Sequence, residues 1–406
     1  MKMDILLSIL KYSIYGIELI LLSFFTLSSL YVLTFAIAGH FYKKFNSTIS
    51  LSYYKIAVFI PAYKEDEVIE NVVKTALNQD YPTKYFDVIV IADSLKSQTI
   101  QRLNQLPIKV LEVSFNNSTK AKALNTAIAQ LYAKYDHALI LDADNIMESQ
   151  FLKKINTAFK NGHRVVQGHR KAKNLNTSFA ILDAASEEIN NHIFRKGHRA
   201  LGLSSGLIGS GMAFEYELFS SIMKSNYAVG GFDKELEFEL AKAEITIEYL
   251  EEAIVLDQKI ENSKDFSNQR KRWLATQFIY LKRYFIEGSK QLIQNKNINL
   301  FDKVWQMLVP PRLLLIGLSF LITFLYLFLE YGLNHTMGVS SSFWLVNLSM
   351  VIGAFFLSLP KSFYNFNTLK ALLYIPNAFI RMLMLLFKLK GANKKFIHTS
   401  HRVIKN

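Results

Sequence analysis

The sequence predicts an α/β protein whose parallel sheet sits in the cytoplasm, with transmembrane α-helices at both ends of the chain. Three observations carry that expectation. From about Lys55 to Asp257, short apolar runs alternate with amphipathic stretches, the order that builds a parallel sheet covered on both faces. Residues 19–38, 313–329 and 342–360 contain no charged side chain, and roughly 20 apolar residues cross a bilayer as a helix. Half of the 406 residues are hydrophobic, with 31 Phe and 20 Tyr, more than a soluble domain of this size needs for its core.

Four parts follow: a first spanning helix and its flanks over 1–45, a cytoplasmic domain over 46–297, an interfacial segment and two spanning helices over 298–362, and an interfacial helix with a basic tail over 363–406. A cleaved signal peptide does not fit 19–38, because the apolar region is too long and no small-residue cleavage site follows. Orientation follows from the basic residues: Lys43, Lys44 and Lys55 follow the first span, Arg312 precedes the second, Lys361 and Lys370 follow the third, and 330–341 has none. The N-terminus and 330–341 are therefore expected outside, and 40–312 in the cytoplasm, in a multi-pass protein of the cell membrane. Residues 371–389 contain Pro376 and Arg381 near their middle, and a central Arg is costly in hydrocarbon, so an interfacial helix is expected there.

The formal charge of +14 raises nucleic acid as a partner, but nine Lys or Arg and no acid fall between Lys361 and Asn406, interleaved with apolar runs. That pattern fits membrane lipids with an anionic surface, and no nucleic-acid motif is visible. The absence of cysteine excludes disulfides and thiolate chemistry, and the nine histidines show no HxxxH or HExxH spacing.

Within the cytoplasmic part, 55–62, 87–93, 108–113 and 137–144 are expected strands, and 65–78 and 120–133 helices. Ligands of parallel sheets bind at the carboxyl ends of the strands. Three of those ends carry polar punctuation: Pro61 to Glu65, Ala92-Asp93-Ser94, and Asp142-Ala143-Asp144. Two carboxylates one residue apart occur in ordinary strand-end turns, but beside Asp93 they also suit a hard divalent ion shared with substrate phosphates. Lys120, at a helix start, is either a solvated lysine or a phosphate contact. The glycines of "GSGMAF" (209–214) allow a plain turn or a close backbone approach. "GGFDKELEFEL" (230–240) is an acidic helix face, and "QRKRW" (269–273) opens a helix.

In their order these motifs resemble the family 2 glycosyltransferases, membrane-bound inverting enzymes with a Rossmann-like GT-A fold that include cellulose and hyaluronan synthases. "IPAYKEDEVI" is similar to the family's PAYNE strand end, "KAKALN" to its GKxxALN segment, "DAD" (142–144) to its DxD motif, and Gln269, Arg272 and Trp273 to QxxRW. The resemblance implies donor or nucleotide contacts at Pro61, Tyr63, Glu65, Asp93, Lys120 and Asp142, and Mg2+ or Mn2+ on Asp142 and Asp144. It implies acceptor or diphosphate contacts at Gln269, Arg272 and Trp273. The family's TED motif falls on Asp233-Lys234-Glu235, which puts the catalytic base on Glu235 with Asp233 as the alternative. The implied activity moves a sugar from a nucleotide-activated donor, a UDP-sugar by expectation, to a lipid-linked or growing glycan acceptor at the cytoplasmic membrane face. Alternatives are a processive polysaccharide synthase that exports its product and an inactive scaffold of the same fold.

Overall fold

The structure is a computed structural model that describes residues 2–43, 52–131 and 134–389. The basic tail from 390 onward, Lys44 and the junction at 45/46 lie outside the described residues. A long first helix, α1 (Lys2–Ala38), precedes a domain built on one eight-stranded sheet. Its first half runs β1 (Ile56–Tyr63), α2 (Ile69–Leu77), β2 (Phe86–Asp93), α3 (Ser97–Leu103), β3 (Lys109–Val113), α4 (Lys120–Gln130) and β4 (His137–Ile140). The second half runs β5 (Ile146–Met147), α5 (Phe151–Lys160), β6 (Val165–Ala172), α6 (Ser178–Asn190), α7 (His198–Ala200), β7 (Met212–Glu215), α8 (Tyr216–Met223), α9 (Phe232–Lys242) and β8 (Ile247–Asp257). Six helices follow among the described residues: α10 (Ser263–Asn295), α11 (Ile298–Leu308), α12 (Arg312–Leu327), α13 (Ser341–Ser358), α14 (Phe366–Leu372) and α15 (Ile375–Leu386).

The strand order is β3-β2-β1-β4-β7-β6-β8-β5, with β1 to β4 mutually parallel. Successive β1 residues serve opposite faces. Ile56, Val58 and Ile60 pack with α2 and α5 residues such as Val72, Phe151 and Ile155, while Ala57 and Phe59 pack with Leu124, Phe219 and Leu236 on the other side. Both faces are covered, which is why the strand reads as an unbroken apolar run.

The sheet is not wholly parallel as expected. β7 is antiparallel to both β4 and β6, and β5 is antiparallel to β8. Two reversals across β7 bring β6 back into the direction of β4, and β8 runs parallel to β6. The carboxyl ends of β1, β2, β4, β6 and β8 therefore share one rim. The expected helix 65–78 starts four residues late because Glu65 to Val68 form a turn, with the Val68 and Ile69 amides donating to the Glu65 carbonyl. The expected strand 137–144 leaves the ladder after Ile140, freeing 141–144 to face the rim.

Among the described residues, three helices are long and apolar enough to cross a membrane: Met3–Phe41, Arg312–Gly332 and Ser341–Ser358. They agree with the three uncharged stretches. α1 packs on α13 through Phe25, Val32 and Ala354, joined by Trp344 and Leu315. α14 and α15 together form a pair bent by 42°, and α15 packs through Phe379, Met382 and Leu385 against Leu274 and Leu314.

Candidate active site

The rim closes over a cavity of about 1020 Å³ whose walls come from the sheet, from α6, α9 and α10, and from the start of α12. Each strand end turns away sharply. Lys64 and Ser94, directly after β1 and β2, both have left-handed φ near +58° (57° and 59°), and the Lys64 amide donates to the Asp93 carbonyl at 3.1 Å. The turn leaves Pro61, Tyr63 and Glu65 on the cavity wall beside Asp93, which is buried and accepts a hydrogen bond from the Ser94 hydroxyl at 3.0 Å.

Asp142 and Asp144 line the same cavity one strand over. The Asp142 backbone N–H donates to Ser210 Oγ at 2.9 Å, which ties the "LDAD" turn to the "GSG" loop. Lys120 Nζ pairs with Asp142 Oδ1 and donates to the Gly209 carbonyl at 2.5 Å, over the ring of Phe232. The "GSG" glycines are thus at a close approach rather than in a plain turn. Gly211 has φ +61°, and a Cβ there would sit 2.8 Å from Val255.

α9 decides which acid enters the cavity. Asp233 lines it, near Gly209, whereas Glu235 does not. Two positions along a helix are about 200° apart around its axis, so the two carboxylates cannot share a face. Glu235 turns toward α10, where Arg283 Nη1 donates to it at 2.8 Å and the Tyr284 hydroxyl at 3.3 Å. That face is closed by Phe238 stacked on Tyr284, centroids 4.1 Å apart, and by the Tyr280 hydroxyl donating to the Gly231 carbonyl at 3.2 Å. Of the two candidates, Asp233 lines the cavity and Glu235 faces α10. Burial pushes the Asp233 carboxyl above its ordinary range, reinforced by Glu237 and opposed by Lys234 and Lys120.

Gly231 makes the phase of α9 possible. Its φ is +72°, and a Cβ would meet Thr276 Cγ2 at 2.4 Å, so only glycine lets α9 begin this close to α10. On α10, capped by Asn262 accepting from the Lys264 and Asp265 amides, Gln269, Arg272, Trp273 and Thr276 recur at helical spacing and line the cavity. Burial lowers the Arg272 guanidinium from its usual range, which still leaves it charged.

Sequence reasoning missed a buried ionic network on the same wall. Arg170 near the end of β6 donates to Glu187 at 2.7 Å, Arg195 donates to Glu187 at 3.4 Å, and Lys259 pairs with Asp257 at 2.7 Å. Burial pushes Glu187 upward, but Arg170, Lys259 and Arg195 together hold it well below the usual carboxylate range. The signal was available: Arg170 and Asp257 lie at strand ends on the rim already used for Asp93 and Asp142.

No group of three or more His, Asp or Glu suited to a metal occurs among the described residues. The two carboxylates of 142–144 fit a hard cation that completes its shell with substrate phosphates and water, not one caged by protein alone. The sequence profile of the Glycosyltransferase like family 2 matches residues 54–276. The chain is 24% identical over 251 residues to the probable glycosyltransferase YdaM of Bacillus subtilis, covering 56% of each chain. It is 29% identical over 103 residues to the poly(ribitol-phosphate) β-N-acetylglucosaminyltransferase TarS of Staphylococcus aureus, 24% of this chain and 18% of that one. The chain thus spans from 18% to 56% of the length of these curated relatives. Among solved structures, the mannosyltransferase PcManGT of Pyrobaculum calidifontis, in complex with GDP-Man and Mn2+, is alike in fold: TM-score 0.52 at 15% identity, over 84% of this chain and 97% of that one.

Proposed function

The chain belongs to glycosyltransferase family 2, and from that premise we propose that it is a membrane-anchored, metal-dependent, inverting transferase that moves a sugar from a UDP-sugar to a lipid-linked or growing glycan. The carrying observation is that Asp233 shares one cavity with Asp93, Lys120, the 142/144 carboxylates and Arg272. Anchoring is supported by the three helices of spanning length, with the cavity on the cytoplasmic side by the distribution of Lys and Arg. N-acetylglucosamine as the transferred sugar is supported by the name of the TarS relative, a β-N-acetylglucosaminyltransferase.

In this reading Asp93 and the 61–65 turn hold the nucleoside. Asp142 and Asp144 would hold Mg2+ or Mn2+, which would supply charge neutralisation on the diphosphate. Lys120 adds a cation on the same side, and the Arg272 fork addresses the diphosphate oxygens. An acceptor hydroxyl is a poor nucleophile at neutral pH. Asp233, raised by burial, takes its proton as the oxygen attacks the sugar carbon from the face opposite the leaving group, which inverts that centre. Gln269 and Trp273 line the acceptor's approach.

The experiment is a panel of nucleotide sugars, led by UDP-N-acetylglucosamine, offered to the purified chain with released nucleotide measured with and without chelator. Release that needs metal and one sugar supports the reading. No release from any donor leaves the inactive scaffold.

A further inference from the structure

The wall of the cavity formed by α6 and the start of α12 carries cations that the donor chemistry does not use. Asp183, Ser186, Glu187 and Asn190 recur at i, i+3, i+4 and i+7 along α6, so they form one stripe, and all four line the cavity. Arg270 Nη2 donates to Asp183 Oδ1 at 2.6 Å. Arg312, the first residue of α12, donates to Ser186 Oγ at 2.6 Å and to Asn190 Oδ1, both neutral acceptors. Glu187, the remaining carboxylate of the stripe, already serves Arg170, Arg195 and Lys259. Arg270 thus pairs directly with a carboxylate, whereas Arg312 is held by neutral acceptors.

Arg270 is 6% exposed, held between the rings of Phe266 and Trp273 at 5.0 and 4.3 Å, and its Nε has no hydrogen-bond partner. A buried cation with an unanswered donor is expensive unless an anion completes it. Planar guanidinium forks match phosphate oxygens in particular. The wall beside these arginines is apolar, with Leu274 from α10, Leu313 from α12 and Met382 from α15. A phosphate-binding end next to an apolar wall has the polarity of an amphiphile.

We propose that Arg270 and Arg312 form an acceptor subsite that anchors the phosphate of a lipid, with its apolar chain against Leu274, Leu313 and Met382 and its hydroxyl-bearing headgroup extending toward Asp233. The phosphate is the anchor and the headgroup hydroxyl the nucleophile, so no bond to phosphorus changes. The subsite rests on the transferase reading, and it narrows the acceptor to an anionic phospholipid or phosphate-linked glycolipid.

The test uses the full chain purified in a maltoside detergent, with fluorescent phosphatidylglycerol as probe and UDP binding measured in parallel. Diacylglycerol of the same chains lacks the phosphate, and inorganic phosphate lacks the chain. Wild type should hold phosphatidylglycerol at least about tenfold more tightly than either, and Arg312→Gln should weaken that binding by roughly ten- to a hundredfold, the usual worth of a charge-assisted contact. Arg312→Lys should recover part of it, and UDP affinity should stay within about twofold throughout. Should Arg312→Gln fail to fold, Leu313→Trp, at a half-buried position of the apolar wall, should weaken the lipid and spare UDP. Equal binding of phosphatidylglycerol and diacylglycerol overturns the subsite. Inorganic phosphate binding as tightly as the lipid overturns the lipid assignment, and a parallel loss of UDP in Arg312→Gln reassigns the arginine to the donor. A wild type that binds no UDP instead fails the transferase reading, while the lipid arm still reads the subsite.

Discussion

Exchanging Asp233 and Glu235 of α9 for their amides separates catalysis from packing. Asp233→Asn keeps the shape of a half-buried, cavity-lining group and removes its ability to take a proton. The loss should be about 10²–10⁴-fold in turnover, or roughly 3–5 kcal/mol of barrier. Stability at neutral pH should hold or rise. Burial raises the Asp233 carboxyl above its unfolded value, so its ionisation costs stability as pH climbs through the raised value, and the amide avoids that cost. Glu235→Gln touches a different contact. Its partner Arg283 has a side chain 55% exposed, so solvent screens the pair and the exchange should cost only about 0.5–1 kcal/mol of stability. Turnover should fall less than about threefold. The assay is the initial rate of transfer at saturating donor, with nucleotide binding measured separately and expected to survive in both variants. The acidic limb of the pH–rate profile should lie above the usual Asp range of about 4 and should vanish in Asp233→Asn. An active Asp233→Asn with a dead Glu235→Gln would refute the assignment drawn from the helix phase.

Asp142→Ala and Asp144→Ala should each abolish metal-dependent transfer with little change in melting temperature, and full activity of either variant in the presence of chelator would contradict the metal assignment. Gly231→Ala forces a Cβ into Thr276 at positive φ and should lower stability by about 1–3 kcal/mol while displacing Asp233, read as a fall in both melting temperature and turnover. Glu187→Gln leaves Arg170, Arg195 and Lys259 short of an anion and should cost about 3–5 kcal/mol at neutral pH by denaturant titration. Because the folded Glu187 carboxyl is depressed, its contribution is present above the ordinary Glu range and is lost as pH falls through the folded value, so the gap between variant and wild type should close in acid. A reporter at residue 336 should be accessible from outside the cell and one at 406 protected; an accessible C-terminus makes α14 and α15 one crossing.

How far the sequence carried depends on the range of the forces involved. β1, β2 and β4 were legible because both of their faces are buried, which leaves runs such as "IAVFI" that need no partner to be recognised. β6 was not: its second half, "HRKA", turns polar because Arg170 enters the ionic network with Glu187, a contact set by a helix that follows it. The short β7 has four residues, too few for any periodicity to show. The rim of carboxylates was legible from strand ends alone, since parallel strands deliver their termini to one side whatever the side chains do. The choice between Asp233 and Glu235 was not, because spacing to a motif does not state helix phase. That phase is set by Gly231 against Thr276 and by Arg283 and Tyr284 on Glu235, contacts 45 to 49 positions apart in the chain that exist only once α10 has docked. The same limit applies to Arg312. In sequence it is a basic residue before an apolar run, the ordinary mark of a span's cytoplasmic end. Only the stripe on α6, 122 and 126 residues earlier, turns it inward onto Asn190 and Ser186 and makes it part of the cavity. In the proposed subsite, a residue that sequence assigns to topology takes a second role in recognition, one guanidinium at the boundary meeting both demands.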